Sequence, residues 1–121
     1  RSNAFSSEPI DWENHLKWFG GKLNHENSRI FILLNQSIPV GQIRFDRERD
    51  NWLIDYSISS SNRGKGFGKK IVSLALEEFA KETRFIAKVK SENTASLKVF
   101  KSNGFDLSEY TDKIVVFSKV K

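Results

Sequence analysis

Gly64, Gly66 and Gly68 alternate with single residues at the point where the chain changes from a strand pattern to a helix pattern. Before them, Trp52, Ile54, Tyr56 and Ile58 alternate with smaller or polar residues, the period of a strand. After them, Phe67, Ile71, Leu74, Ala75 and Phe79 recur at helical spacing. A second short apolar stretch at 85–90 reads as another strand. Strand 52–59, helix 66–82 and strand 85–90 therefore predict a βαβ crossover with parallel strands. Such a unit needs a sheet with a helix packed on its face, which excludes an all-helical or an all-β chain.

The flanking patterns extend this unit. Asp11 is a candidate N-cap for a first helix, with Trp12, Leu16, Phe19 and Leu23 on one face and Gly20-Gly21 weakening it. Strands are predicted at 29–34, 40–45, 105–110 and 114–120, and a second helix at 93–103. The turns fall at 35–39 and 46–51. The expected order is α-β-β-β-α-β-α-β-β, a mixed α/β (α+β) fold with a twisted mixed sheet around a central βαβ unit.

At 121 residues the chain is long enough for one domain with one modest core. It contains no cysteine, which excludes disulfides, thiolate metal sites and a cysteine nucleophile. Two histidines ten residues apart, His15 and His25, leave no metal site to expect. No apolar run reaches the roughly 18 residues of a membrane span, and no leader pattern opens the chain. A cytoplasmic setting is expected. The absence of methionine suggests a chain that begins inside something longer.

The net charge of +5 is uneven. Residues 1–60 carry 7 basic and 8 acidic side chains, and residues 61–121 carry 13 and 7. An anionic ligand bound by the second half would explain that, as would a solvated lysine-rich surface. The basic residues are scattered and carry no nucleic-acid motif, so no nucleic-acid partner is expected.

A phosphate suits the glycine loop best. Glycines let a backbone turn tightly and approach a ligand closely. The amides at a helix start favour an anion. Arg63, Lys65, Lys69 and Lys70 add positive charge. Two other phosphate motifs fail: Lys70 stands where a P-loop has Ser or Thr. A dinucleotide fold would begin with the βαβ unit, whereas three strands precede it here.

Arg63-x-x-Gly66-x-Gly68 resembles the Q/R-x-x-G-x-G/A signature of the GNAT acetyltransferase superfamily. A second element of that family is also present as Asn93, Ser96, Phe100 and Gly104-Phe105. The resemblance covers about residues 40–120. Beside it, the family's usual opening strand and helix are missing, so the domain is expected to be N-terminally incomplete.

The resemblance implies acetyl-CoA as co-substrate, with no metal. Its pyrophosphate would lie on the loop from Arg63 through Gly64, Lys65, Gly66, Phe67 and Gly68 to Lys69. Asn93, Ser96 and Phe100 would complete the coenzyme site. Ile58 would offer its backbone N–H to the thioester carbonyl, an oxyanion donor. Attack by the amine would be direct, with Asp55 the candidate base. The family usually has a tyrosine at Phe100 to protonate the leaving thiolate. Phe100 cannot do so, which leaves Tyr56 and Tyr110 as candidates.

The acceptor is less constrained. His15, Trp18 and Phe19 form His-x-x-Trp-Phe ahead of Val40–Asp46. This resembles a GNAT branch that acetylates amino sugars on nucleotide carriers, in pseudaminic- and legionaminic-type biosynthesis. Arg44 would then meet a carrier phosphate. The resemblance thus implies a small-molecule amine acceptor; without a long apolar run no membrane partner is expected, and a second copy of the chain is a candidate partner. Protein N-terminal acetylation and a non-catalytic coenzyme-binding module are the alternatives.

Overall fold

The computed structural model describes residues 16–19 and 27–121. Among them the strands are β1 (Leu16–Phe19), β2 (Ser28–Asn35), β3 (Ile38–Glu48), β4 (Asn51–Ile58), β5 (Arg84–Lys90), β6 (Asp106–Tyr110) and β7 (Ile114–Val120). The helices are α1 (Phe67–Leu76) and α2 (Thr94–Ser102), with a 3-10 turn at Ser60–Asn62. The strands form one seven-stranded sheet in the order β1-β2-β3-β4-β5-β7-β6.

Among the described residues only β4 and β5 pair in parallel; the other neighbours are antiparallel. The mixed sheet with a βαβ unit at its centre is the expected fold. Among the described residues four strands, rather than three, precede helix α1. The segment 16–19 is the extra one: it is a strand paired with β2, Trp18 opposite Phe31, and not the helix read from its spacing. Trp12, Leu16, Phe19 and Leu23 share a helical spacing, but the two of them that are described, Leu16 and Phe19, lie in a strand. An adjacent strand offers them a hydrogen-bonding edge, and that tertiary pairing sets the structure. Asp11, Trp12, His15 and Leu23 lie outside the described residues.

Alternation puts one face of β2, β3 and β4 under the helices. Phe31, Leu33, Ile43, Phe45, Trp52 and Ile54 are buried there in one core cluster with Ile71, Val72 and Ala75 of α1. Gln36 and Ser37, both at positive φ, make the tight β2–β3 turn. Among the described residues no helix is long and apolar enough to cross a membrane.

Helix α1 stops at Leu76, six residues short of the patterned stretch. The amides of Glu77, Glu78 and Phe79 bond back three residues, to Leu74, Ala75 and Leu76, which tightens the last turn. Phe79 then swings into an aromatic cluster, 4.6 Å from Phe45 and 5.1 Å from Phe85 between ring centroids. The Lys121 ammonium donates to the Phe79 carbonyl at 2.5 Å and, as a second donor beside the Phe79 amide, to the Leu76 carbonyl at 2.9 Å. A cation is favoured at a helix C-terminus. Lys121→Ala should therefore lower the unfolding free energy by about 1 kcal/mol, read in a denaturant titration. Unchanged stability would show that water replaces the ammonium there without loss.

Candidate active site

Pairing between β4 and β5 runs from Asn51↔Arg84 to Ile54↔Ala87 and then ends. The last residues of β4, 55–58, and of β5, 88–90, have no partner across that seam. The two strands thus part at their C-terminal ends, and a cavity of about 560 Å³ opens there. One side of it is β4 from Tyr56 to Ile58. The glycine loop and the starts of α1 and α2 form the rest.

The direction of the Ile58 amide follows from the ladder. Ser59 donates its N–H to the Val40 carbonyl at 2.9 Å, on the β3 side. Successive residues of a strand direct their amides to opposite edges. The Ile58 N–H therefore points to the other edge, into the split. The Ile58 carbonyl points the same way and accepts from Arg63 Nε at 3.1 Å. Arg63 thus holds the end of β4 as well as lining the cavity. Behind Ile58, Gly41 leaves no space: a Cβ there would stand 2.6 Å from Ile58 Cδ1 and 2.7 Å from the Ser57 carbonyl. A glycine inside a strand signals such close approach, and Gly41 is a site-shaping residue that the sequence reading passed over.

The loop itself is open. Gly64 and Gly66 have φ of +76° and +83°, and a Cβ on either would meet nothing within 4 Å. Gly66 is the N-cap of α1, and no side chain caps that helix start. The amides of Gly68 and Lys69 lie in its first turn, where an anion is favoured. Gly68 serves a different purpose: a Cβ there would stand 3.2 Å from Val99 Cγ2 and 3.3 Å from Tyr56 Cε2. Its missing side chain lets α1 approach α2 and β4. Cavity, bare glycines and uncapped helix start fit a pyrophosphate. Lys65 is exposed and does not line the cavity.

Among the residues of the second element, Asn93 is the N-cap of α2, accepting from the Ser96 amide at 3.1 Å, and both line the cavity. Phe100 does not. It is buried in the core, stacked near Phe117 and edge-on to Phe105. Its other neighbour is Tyr56, at 5.8 Å between ring centroids. The Tyr56 hydroxyl and Ser96 Oγ are hydrogen-bonded at 2.8 Å, inside the cavity lining. Burial raises the Tyr56 pKa, and the Ser96 hydrogen bond opposes part of that rise. Tyr110, the other tyrosine considered, is exposed on β6 at the sheet edge.

The remaining site residues fall elsewhere. Asp55 and Arg44 are register partners on the sheet face opposite Tyr56, and both are exposed. Arg44 Nε donates to Asp46 Oδ2 at 2.8 Å, and that pairing raises the Arg44 pKa. Trp18 and Phe19 lie on β1, three strands from β4, or roughly 14 Å at ordinary strand spacing. His15 is outside the described residues. No group of three or more His, Asp or Glu able to hold a metal occurs among the described residues.

Comparison with known proteins accords with this fold. A ribosomal L7/L12 alpha-N-protein acetyltransferase, RimL, solved with coenzyme A, superposes with a TM-score of 0.68 at 19% identity, over 78% of this chain and 62% of that one. The ribosomal-protein-S5-alanine acetyltransferase of Vibrio fischeri gives 0.68 at 21% identity, over 79% and 63%. A putative acetyltransferase of Salmonella typhimurium, yncA, solved with acetyl-CoA, gives 0.66 at 16% identity, over 77% and 64%. The chain thus spans less than two thirds of each of these proteins. No curated protein sequence matches it. The family described as an acetyltransferase (GNAT) domain matches residues 2–106, and with that match over most of its length the chain belongs to the GNAT acetyltransferase family.

Proposed function

We propose that this chain moves an acetyl group from acetyl-CoA to a primary amine by direct attack within a ternary complex. The parting of β4 from β5 beside an open glycine loop carries the reading. In it, the backbone of residues 64–69 holds the pyrophosphate, and the thioester lies along the free edge of β4. Acetyl-CoA supplies the activated acyl group. The Ile58 N–H donates to the carbonyl oxygen as negative charge develops there. Asp55, on the opposite face, takes a proton from the incoming amine, directly or through water. Tyr56 gives its proton to the departing thiolate. Holding two reactants in line supplies much of the rate.

The acceptor is an amino sugar on a nucleotide carrier in the reading that draws on Trp18, Phe19 and Arg44. Trp18 and Phe19 lie three strands from β4, which suits a long acceptor better than a bare amine. A second reading is supported by the solved relatives whose names give ribosomal proteins as what they acetylate; there the amine is a protein N-terminus. Initial rates with acetyl-CoA separate the two, using nucleotide-linked amino sugars and peptides with N-terminal serine or alanine. Turnover of the sugars alone supports the first reading, and turnover of peptides alone the second. A ping-pong pattern, or absence of acetyl-CoA binding, would overturn the proposal itself.

A further inference from the structure

A second cavity, of about 490 Å³, lies at the other end of the sheet, where β4 and β5 begin and the connection from α1 arrives. Four of its lining side chains are cationic, Arg29, Arg47, Lys81 and Arg84, against two carboxylates, Asp50 and Glu82. The balance is 4 − 2, or +2. The sequence patterns gave no hint of it, since these residues come from two strands, two turns and the start of a third strand.

Arg29 is the fixed part. Its guanidinium carbon lies 5.0 Å from the centroid of the Trp52 ring and 4.6 Å from that of Phe79. Both rings are anchored in the core, at 7% and 5% exposure. Aromatic contact holds a guanidinium without using its N–H groups. Those groups make no hydrogen bond or ion pair among the described residues. Arg47 Nε donates to the Arg49 carbonyl at 3.2 Å, which orients that guanidinium too. Arg84, like Arg47, has no carboxylate partner among the described residues; the one ion pair there is Arg44–Asp46. Three guanidinium groups around one cavity repel each other, and an anion between them relieves that. The planar donor fork of arginine matches a tetrahedral oxyanion.

We infer that this cavity is a second ligand site, for a phosphate group, separate from the crevice between β4 and β5. The phosphate is either free or the monoester of a small metabolite. The site does not depend on the acetyltransferase reading, because no residue is shared between the two cavities.

The test is calorimetric and thermal titration of the full chain with coenzyme A kept at saturation, so that the glycine loop is filled. The probes are inorganic phosphate, adenosine monophosphate, adenosine, and chloride at matched ionic strength. The expected result is saturable stabilisation by one or both phosphate probes beyond that of chloride, with none from adenosine. Response to the monophosphate alone identifies a monoester ligand, and response to both admits the free ion. Arg29→Met keeps an aliphatic cover on the two rings but removes the donors, and Arg84→Gln changes an exposed side chain that the fold does not need. Each should weaken phosphate binding at least about tenfold and leave coenzyme A affinity unchanged. If Arg29→Met fails to fold, Arg84→Gln carries the test. A response equal to that of chloride, or one retained at full strength in Arg84→Gln, would overturn the inference. Arginine stacking would then serve only to cover the core.

Discussion

Gly66→Val is expected to abolish acetyl-CoA binding, with affinity lower by at least about 100-fold, in a protein that still folds. The argument separates strain from obstruction. Gly66 sits at φ +83°, where a residue with a Cβ costs roughly 1–2 kcal/mol and a β-branched one more. That is a tolerable loss against an ordinary folding free energy of about 5–15 kcal/mol. A Cβ at Gly66 meets nothing within 4 Å, so no protein group clashes with it. Gly66 lines the cavity, and the methyl groups are expected to crowd the place proposed for the pyrophosphate. A hundredfold loss is about 2.7 kcal/mol, less than the loss of several charge-assisted hydrogen bonds. Thermal unfolding without ligand reports the strain, and calorimetric titration with acetyl-CoA reports the obstruction. Unchanged affinity in a folded Gly66→Val protein would remove the phosphate role from this loop. Gly68 predicts a different outcome. Its Cβ would press on Val99 and Tyr56, so Gly68→Val should disturb the packing of α1 on α2 as well as binding.

Local chemistry made the centre of the fold legible. Alternation along 52–58, three glycines and the 67–79 helical spacing are each signals within a few residues, and the βαβ rule joins them. The glycine loop between that strand and helix was legible for the same reason. The misreadings concern features set at long range. Strand β1 is extended because β2 offers it an edge, and no property of 16–19 alone contains that. Helix α1 ends early because Phe79 is drawn into a cluster with Phe45 and Phe85 and because Lys121, 45 residues beyond Leu76, donates to the carbonyls at its end. Phe100 matched a family motif position yet lies wholly in the core. The hydroxyl near it comes from Tyr56, 40 residues from its partner Ser96, on a strand where alternation alone reads it as packing. Gly41 carried a usable signal, a glycine inside a strand, but what it accommodates is the side chain of Ile58 on the neighbouring strand.

Tyr56→Phe is expected to lower kcat by about 100-fold while changing the acetyl-CoA KM little. The wild-type hydroxyl lines the crevice and is hydrogen-bonded to Ser96. Removing it leaves the ring, and with it the edge-on contact to Phe100, in place. Ser96 is half-buried at the start of α2, where water can take over its lost partner. The change therefore acts on the proton and not on the fold. Burial raises the Tyr56 pKa above the ordinary value near 10, so the phenol keeps its proton at neutral pH. A general acid is active in its protonated form, so its contribution to kcat should persist through neutral and mildly alkaline pH. It should decline only as pH rises past that raised pKa. In the Phe variant that alkaline decline should be missing. The thiolate then departs without a donor, so the rate should depend more steeply on how acidic the leaving thiol is. Acetyl thioesters of more acidic thiols should suffer less from the substitution. A kcat within twofold of the wild type, with the same dependence on the leaving thiol, would assign the proton to solvent and leave Tyr56 a packing residue.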